Sequence, residues 1–205
     1  MFSDPYIFQE LLQGIELALY RSHSDSININ PLLLMNDDSD ESQYDNPEWS
    51  HLSLVYDLLI YLVTVNQIDN NTRKHYITVP FVTYLITLFN SQDSRERNSL
   101  KTATHRIYSK LTNRRATIRK AINNTFYEYL YETHCHYGIS ELLEILASII
   151  NGFTLPIRPE HLQTLMKTLI PLHKMNQYEQ FAIQLSFCMC LYIQKDSSLS
   201  DCVEY

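Results

Sequence analysis

Nine of the chain's sixteen Lys and Arg residues lie in the 26 residues from Arg95 to Lys120, RERNSLKTATHRIYSKLTNRRATIRK, where Glu96 is the only acid. The segment carries about +8 in a protein of formal net charge −7, which leaves the remainder near −15. A basic island on an acidic chain faces an anionic partner. Phosphates ranged along a helix face would suit a nucleic acid. Arg forks around a carboxylate or phosphate would suit an acidic or phosphorylated peptide. Arg115 and Arg119 are i and i+4, so on a helix their guanidinium groups share a face. His105, Arg106 and Tyr108 on the preceding helix are placed to look toward them. A plainly solvated charged face is the third reading. The acidic remainder would repel a long duplex, and no aromatic-interleaved base-reading motif is present. A local pocket for a short peptide is therefore preferred to a polymer groove.

Other reactive side chains are less ordered. His134-Cys135-His136 could suggest a metal, but adjacent residues at a helix end point apart, and no second ligand pair has suitable spacing. Cys188 and Cys190 are two apart on a helix, so they face different sides and read as core thiols. Phosphate-loop, nucleophile-elbow, zincin and dinucleotide motifs are all missing from the sequence. Nothing orders Ser, His and acid into a triad. The sequence reads as non-catalytic, with no metal and no cofactor.

The elements that must position the basic island are helical. Glycine is scarce (Gly14, Gly138 and Gly152) in a chain of 205 residues, which argues against sandwiches and dinucleotide folds. Hydrophobic residues make up 45 %, ordinary for a globular protein. No run of 18 apolar residues marks a membrane span, and MFSDPYIFQE lacks the basic and apolar regions of a secretory signal. An intracellular protein, cytoplasmic or nuclear, with reduced Cys135, Cys188, Cys190 and Cys202 and unused sequons at Asn70 and Asn123, is expected.

Ser3-Asp4-Pro5 is a helix start, and an apolar helix is expected from there to about Tyr20. The stretch 36–48, NDDSDESQYDNPE, reads as an acidic mobile loop offering Ser39 and Ser42 for phosphorylation. Val55, Leu58, Leu59, Leu62 and Val63 recur at helical spacing from His51 onward. Thr78-Val79-Pro80 opens a helix to about Phe89, although its β-branched residues would also suit a strand. Further helices are expected from Asp93 or Ser94 to Thr112 and from Arg115 to Thr133. Another covers Leu142 to Ile150 and ends at Gly152, a natural C′ residue. The last two run from Pro159 to Lys174 and from Tyr178 to Gln194. Roughly eight helices of 11–19 residues joined by short loops suit an all-α fold, an α-solenoid of helical pairs. A globular helical bundle is the alternative.

Several runs carry a resemblance. LKTATHRIYSKL, RRATIRKAINNTFYEYLYET, GISELLEILASIINGFTLPIRPEH and LIPLHK, with EWSHLSLVYDLL and NSQDSRERNSLKT before them, resemble the B-prime (fifty-six-kilodalton) regulatory subunits of protein phosphatase 2A. The resemblance covers roughly Trp49 to Leu199. ISELLEILASIINGF together with HRIY is its most specific part. It implies an α-solenoid of HEAT-like repeats that is not itself catalytic. Such a subunit joins a scaffold subunit and a catalytic Ser/Thr phosphatase subunit. It recruits substrate proteins through a groove for short L-x-x-I-x-E motifs, often phosphorylated.

The resemblance also assigns groove residues. His105, Arg106 and Tyr108 fall on the motif-leucine side, and Ile145 and Ile149 where the motif isoleucine is held. Arg115 and His161 stand near the motif glutamate. Arg119 matches a basic residue that helps grip phosphate, and Arg158 stands where the family more often has Lys. Thr112, Arg114 and Thr117 depart from the family's leucine, apolar or aromatic residues in that segment. Family members are considerably longer, so the resemblance implies a single partial solenoid, 1–205, shortened at both ends, with contacts to the catalytic subunit in the missing part. A fragment or short form of the regulatory subunit is the first reading. A free-standing motif binder that competes with full-length subunits is the second, and a helical nucleic-acid binder the third.

Overall fold

The structure is a computed structural model that describes residues 5–24 and 46–200. The expected Ser3-Asp4 cap, the acidic stretch 36–45 with Ser39 and Ser42, and Cys202 lie outside the described residues. Among the described residues every regular element is helical. Contacts divide the chain into two compact units, Met1–Ile118 and Arg119–Tyr205, and each is built in its own way.

In the first unit, α1 (Pro5–Ser24) extends beyond the expected Tyr20 and buries Phe8, Leu12, Ile15 and Leu19 at helical spacing. Helix α2 (Trp49–Thr64) buries Leu52, Tyr56, Leu59, Leu62 and Val63. The expected stripe is thus turned: Val55 and Leu58 are only half-buried, and Tyr56 takes an inner position. A tyrosine can do so because its hydroxyl donates to the Glu96 carboxylate at 2.8 Å, which leaves no polar atom orphaned in the core. Glu96 is itself buried and also accepts from the Ser91 hydroxyl at 2.5 Å.

Helix α3 (Asn70–Tyr76) was not expected, since NNTRKHY has no apolar period. Its ends are held by polar caps instead. The Asp69 carboxylate accepts from the Asn71 N–H at 3.0 Å. Arg73 is buried and donates to the Leu62 carbonyl at 3.3 Å and to the Val65 carbonyl, tying α3 to the end of α2. Helix α4 (Val79–Thr87) is capped by Thr78, whose hydroxyl accepts from Phe81, and has Pro80 in its first turn. A 3₁₀ turn, Leu88–Asn90, follows it. Helix α5 (Ser94–Lys110) is capped by Asp93 rather than Ser94 and ends short of the expected Thr112. It packs mainly on α2, with Leu100, Ala103 and Ile107 buried.

Helix α6 (Arg115–Glu128) continues as a π turn, Tyr129–Thr133, and is stopped by His134, whose φ of 53° lies in the left-handed region. Gly138 precedes α7 (Ile139–Asn151). Gly152 caps α7 with φ −84°, so it does not take the left-handed conformation expected of a C′ glycine. The expected helix 159–174 is divided into α8 (Pro159–Thr164), a π turn (Leu165–Leu169) and α9 (Ile170–Leu172). Pro171 accounts for the division. It has no N–H to give and its ring crowds the carbonyl four residues back, so the turn before it is widened. A 3₁₀ turn at Tyr178–Gln180 precedes α10 (Ala182–Lys195), which starts later than expected. Helix α10 packs on α7, burying Leu185, Cys188, Met189, Leu191 and Tyr192.

Candidate functional site

The basic island is in part architectural. Arg114 donates from Nε to the Ile77 carbonyl at 2.8 Å and from Nη2 to the Lys74 carbonyl at 2.9 Å. Arg115 donates from Nε to the Tyr108 carbonyl at 2.9 Å and from Nη2 to the Ser109 carbonyl at 3.4 Å, and its guanidinium lies 5.2 Å from the Tyr108 ring centroid. Helices leave their last carbonyls without N–H partners, and cations are favoured there. Two consecutive arginines therefore close the C-terminal ends of two preceding helices, α3 and α5. This explains why a cation at position 114 is tolerated where an apolar residue was expected. Tyr108 does face Arg115, as its position one helix earlier suggested. His105 and Arg106 are exposed on the last turns of α5, and Thr112 is exposed in the 3₁₀ turn that follows the buried Leu111.

In the second unit two arginines and a histidine gather on one oxygen. Glu160 Oε1 lies 3.5 Å from Arg119 Nη2, 3.6 Å from His161 Nε2 and 4.0 Å from Arg158 Nη1. Arg119 comes from the first turns of α6, His161 from α8, and Arg158 from the residue that precedes α8. A second rung joins α6 to α8: Asn123, one turn beyond Arg119, donates to the Thr164 hydroxyl at 2.9 Å. Arg115 and Arg119, expected to act side by side, thus turn to different partners.

His161 is held at its ring and at its backbone. Its ring stacks on Phe153, with centroids 3.9 Å apart and planes 7° from parallel. Its carbonyl accepts from the Tyr192 hydroxyl at 2.8 Å. The Phe153 carbonyl in turn accepts from Lys195 Nζ at 3.3 Å. Burial pushes the His161 imidazolium below its ordinary range; Arg119 and Arg158 push the same way, and Glu160 opposes them. Near neutral pH the ring is therefore mainly uncharged. Burial likewise raises the Tyr192 phenol well above its usual value, so it remains a donor.

Ile145 and Ile149 lie one turn apart on α7, as their spacing requires, but they are 2 % and 4 % exposed. They form part of the packed face of α7, and in this state they offer a ligand few atoms. Sequence reasoning missed Glu160, Phe153 and Tyr192. Glu160 had a signal, an acid set between Arg158 and His161 in RPEH. Phe153 and Tyr192 had none, being 8 and 31 residues from His161 and joined to it by the fold alone. Among the described residues no cluster of three or more His, Cys, Asp or Glu could hold a metal ion. No described helix is long and apolar enough to cross a membrane.

Arginine and histidine from α6 and α8 thus converge on a carboxylate of the chain itself, within an all-helical framework. Comparison with known proteins places this framework. Residues 2–204 match the model of the protein phosphatase 2A regulatory B subunit (B56 family). The chain is 45 % identical over 195 residues to the beta isoform of the 57 kDa B' regulatory subunit of serine/threonine protein phosphatase 2A from Arabidopsis thaliana, covering 95 % of this chain and 39 % of that one. It is 41 % identical over 197 residues to the theta isoform from the same plant, covering 96 % and 40 %. It is 42 % identical over 195 residues to the phosphatase 2A regulatory subunit psrA of Dictyostelium discoideum, covering 95 % and 31 %. The chain belongs to the B56 family of protein phosphatase 2A regulatory subunits, and the all-α, helical-repeat class read from its sequence stands. It spans about two fifths or less of the length of these relatives.

Proposed function

We propose that this chain is a non-catalytic, substrate-recruiting part of a phosphatase 2A regulatory subunit. It binds short L-x-x-I-x-E motifs, often phosphorylated, and presents the proteins that carry them to the catalytic subunit held on the scaffold. Family membership supports the regulatory role, and relatives matched over 95 % of this chain carry that name. The observation that carries the motif reading is the convergence of Arg119, Arg158 and His161 on a carboxylate oxygen. A motif glutamate or a phosphate presents the same chemistry to the same three groups. His105, Arg106, Tyr108 and Arg115 in the first unit are proposed as further motif contacts on the resemblance, and Ile145 and Ile149 as the floor beneath the motif isoleucine.

Calorimetric titration of the chain with a phosphorylated L-x-x-I-x-E peptide tests the reading, with a motif Glu→Ala peptide as control. Binding is expected for the first and not for the second. His161→Ala and Arg158→Glu are expected to weaken it roughly 10-fold or more, since a charge-assisted hydrogen bond contributes about 1.5–3 kcal/mol. Equal affinity for both peptides, or for wild type and both variants, removes the site assignment. Co-purification with scaffold and catalytic subunits tests assembly separately. A chain that binds the motif but joins neither of them is a free-standing motif binder.

A further inference from the structure

Glu160 is the residue that the sequence reading did not use. It sits between His161, placed near the motif glutamate, Arg119, placed at the phosphate, and Arg158. All three pairs reach the same oxygen, at 3.5, 3.6 and 4.0 Å, beyond the range of a close charge-assisted hydrogen bond. Its side chain is 58 % exposed, as against 12 % for His161 and 24 % for Arg119, while Arg158 is 69 % exposed. The carboxylate is therefore loose beside His161 and Arg119, which are the more enclosed partners, and Arg158 is as open as the carboxylate itself. Phe153 and Tyr192 fix His161, so its position does not depend on Glu160.

We propose that Glu160 is a specificity-determining residue, a resident carboxylate on Arg119, Arg158 and His161 that an incoming carboxylate or phosphate must displace. The proposal rests on the motif-binding reading and deepens it. A neutral ligand side chain gains nothing by displacing a carboxylate from two arginines and a histidine. A singly charged one gains little, because it exchanges one carboxylate for another. A phosphate, with more charge and more acceptor oxygens, gains the most. Glu160 thus raises the threshold for binding and widens the gap between phosphorylated or multiply acidic motifs and neutral ones. Because the pair is exposed, the threshold is small. Removing the charge tightens an acidic ligand by roughly 2–5-fold, the range expected for an exposed ion pair. Salt screens the effect.

The test uses the 205-residue chain and its Glu160→Gln and Glu160→Ala forms. Each is titrated with three versions of one L-x-x-I-x-E peptide: motif Glu, the same with phosphoserine beside it, and motif Ala, at low and at raised salt. Both variants are expected to tighten the two acidic peptides, to leave the Ala peptide unchanged, and to lose the gain as salt is added. They are also expected to narrow the preference for the phosphorylated peptide. Unchanged or weaker binding of the acidic peptides, or a gain that ignores salt, overturns the proposal, since Glu160 would then be inert or would position its neighbours. If wild type and both variants bind no peptide, the motif reading falls, and Glu160 is judged with inorganic phosphate. Phosphate is then expected to move the His161 ring resonances at a lower concentration in the variants than in wild type. Equal concentrations, or no movement in any form, overturn the proposal on its own ground.

Discussion

Replacing Tyr192 by Phe removes one atom from the packed interior and tests how His161 is held. The Tyr192 hydroxyl donates to the His161 carbonyl at 2.8 Å, and Tyr192 is fully buried on α10. Phe conserves the ring and its packing against Phe153, 6.1 Å away at 65°. Loss of a net hydrogen bond costs about 0.5–1.5 kcal/mol, and a buried acceptor left wholly unpaired costs about 1–3 kcal/mol. The His161 carbonyl is not left unpaired, because it also accepts from the backbone N–H of Leu165. The expected cost is therefore near the lower figure, about 1 kcal/mol, or a melting shift of about 2–4 °C for a chain of this size. Denaturant unfolding of wild type and variant gives the difference from the midpoints at a common slope. Motif affinity in the same variant is expected to fall by about 3-fold or less, since Phe153 still orients the ring. A cost above about 3 kcal/mol would mean that the carbonyl has no second partner. A stability unchanged within about 0.3 kcal/mol would mean that the hydroxyl does not make this bond. Either result refutes the account of how His161 is fixed.

Three further outcomes are expected. The His161 ring, followed by NMR, titrates below 6.5 in the free chain. Its folded form binds a proton less readily than the unfolded chain does, so the stability it contributes is present in full above about 6.5 and is lost as the pH falls toward the depressed midpoint. A motif carboxylate or phosphate seated near it moves the midpoint up, so motif affinity rises as the pH falls from the bound midpoint toward the depressed free one; a midpoint that ignores ligand contradicts this. Arg114→Ala frees the Ile77 and Lys74 carbonyls, and urea unfolding is expected to register a loss of about 1–2 kcal/mol with motif affinity unchanged. A neutral stability would mean that α3 does not need this cap. Of the two thiols read from the sequence as core, Cys188 is buried but Cys190 is exposed, because residues two apart on α10 face different sides. Brief alkylation at neutral pH, read by peptide mass mapping, is expected to modify Cys190 and spare Cys188, which donates to the Leu143 carbonyl and has its thiol pushed up to about 12.

The Arg95–Lys120 island, the apolar stripes and the proline and threonine starts were legible because they are local. A cap is satisfied within three residues, and an amphipathic face within two turns. Thr78, Asp93 and the spacing of Ile145 and Ile149 follow from such rules. The family was legible for the same reason, since ISELLEILASIINGF and HRIY are continuous strings. For the residues singled out for anion binding, charge and helical setting could be read in the same way.

What each of those charges does was settled only by tertiary structure. Arg114 and Arg115 are adjacent in sequence, yet they close two different helices, because the carbonyls that lack partners lie 37 and 7 residues upstream. Tyr56 went inward because a carboxylate 40 residues away could receive its hydroxyl, a pairing that no hydrophobic period encodes. Helix α3 exists through Asp69, Arg73 and Arg114 and has no apolar face of its own to announce it. His161, Glu160 and Arg119 converge because α6 and α8 meet, while Phe153 and Tyr192 are brought to His161 by the turn after α7 and by α10. Sequence by itself determined the amphipathic helices, the charge and the lineage, since these depend on neighbours along the chain. The fold decided which charges are caps and which gather on one carboxylate, since that depends on partners the chain reaches only by folding back.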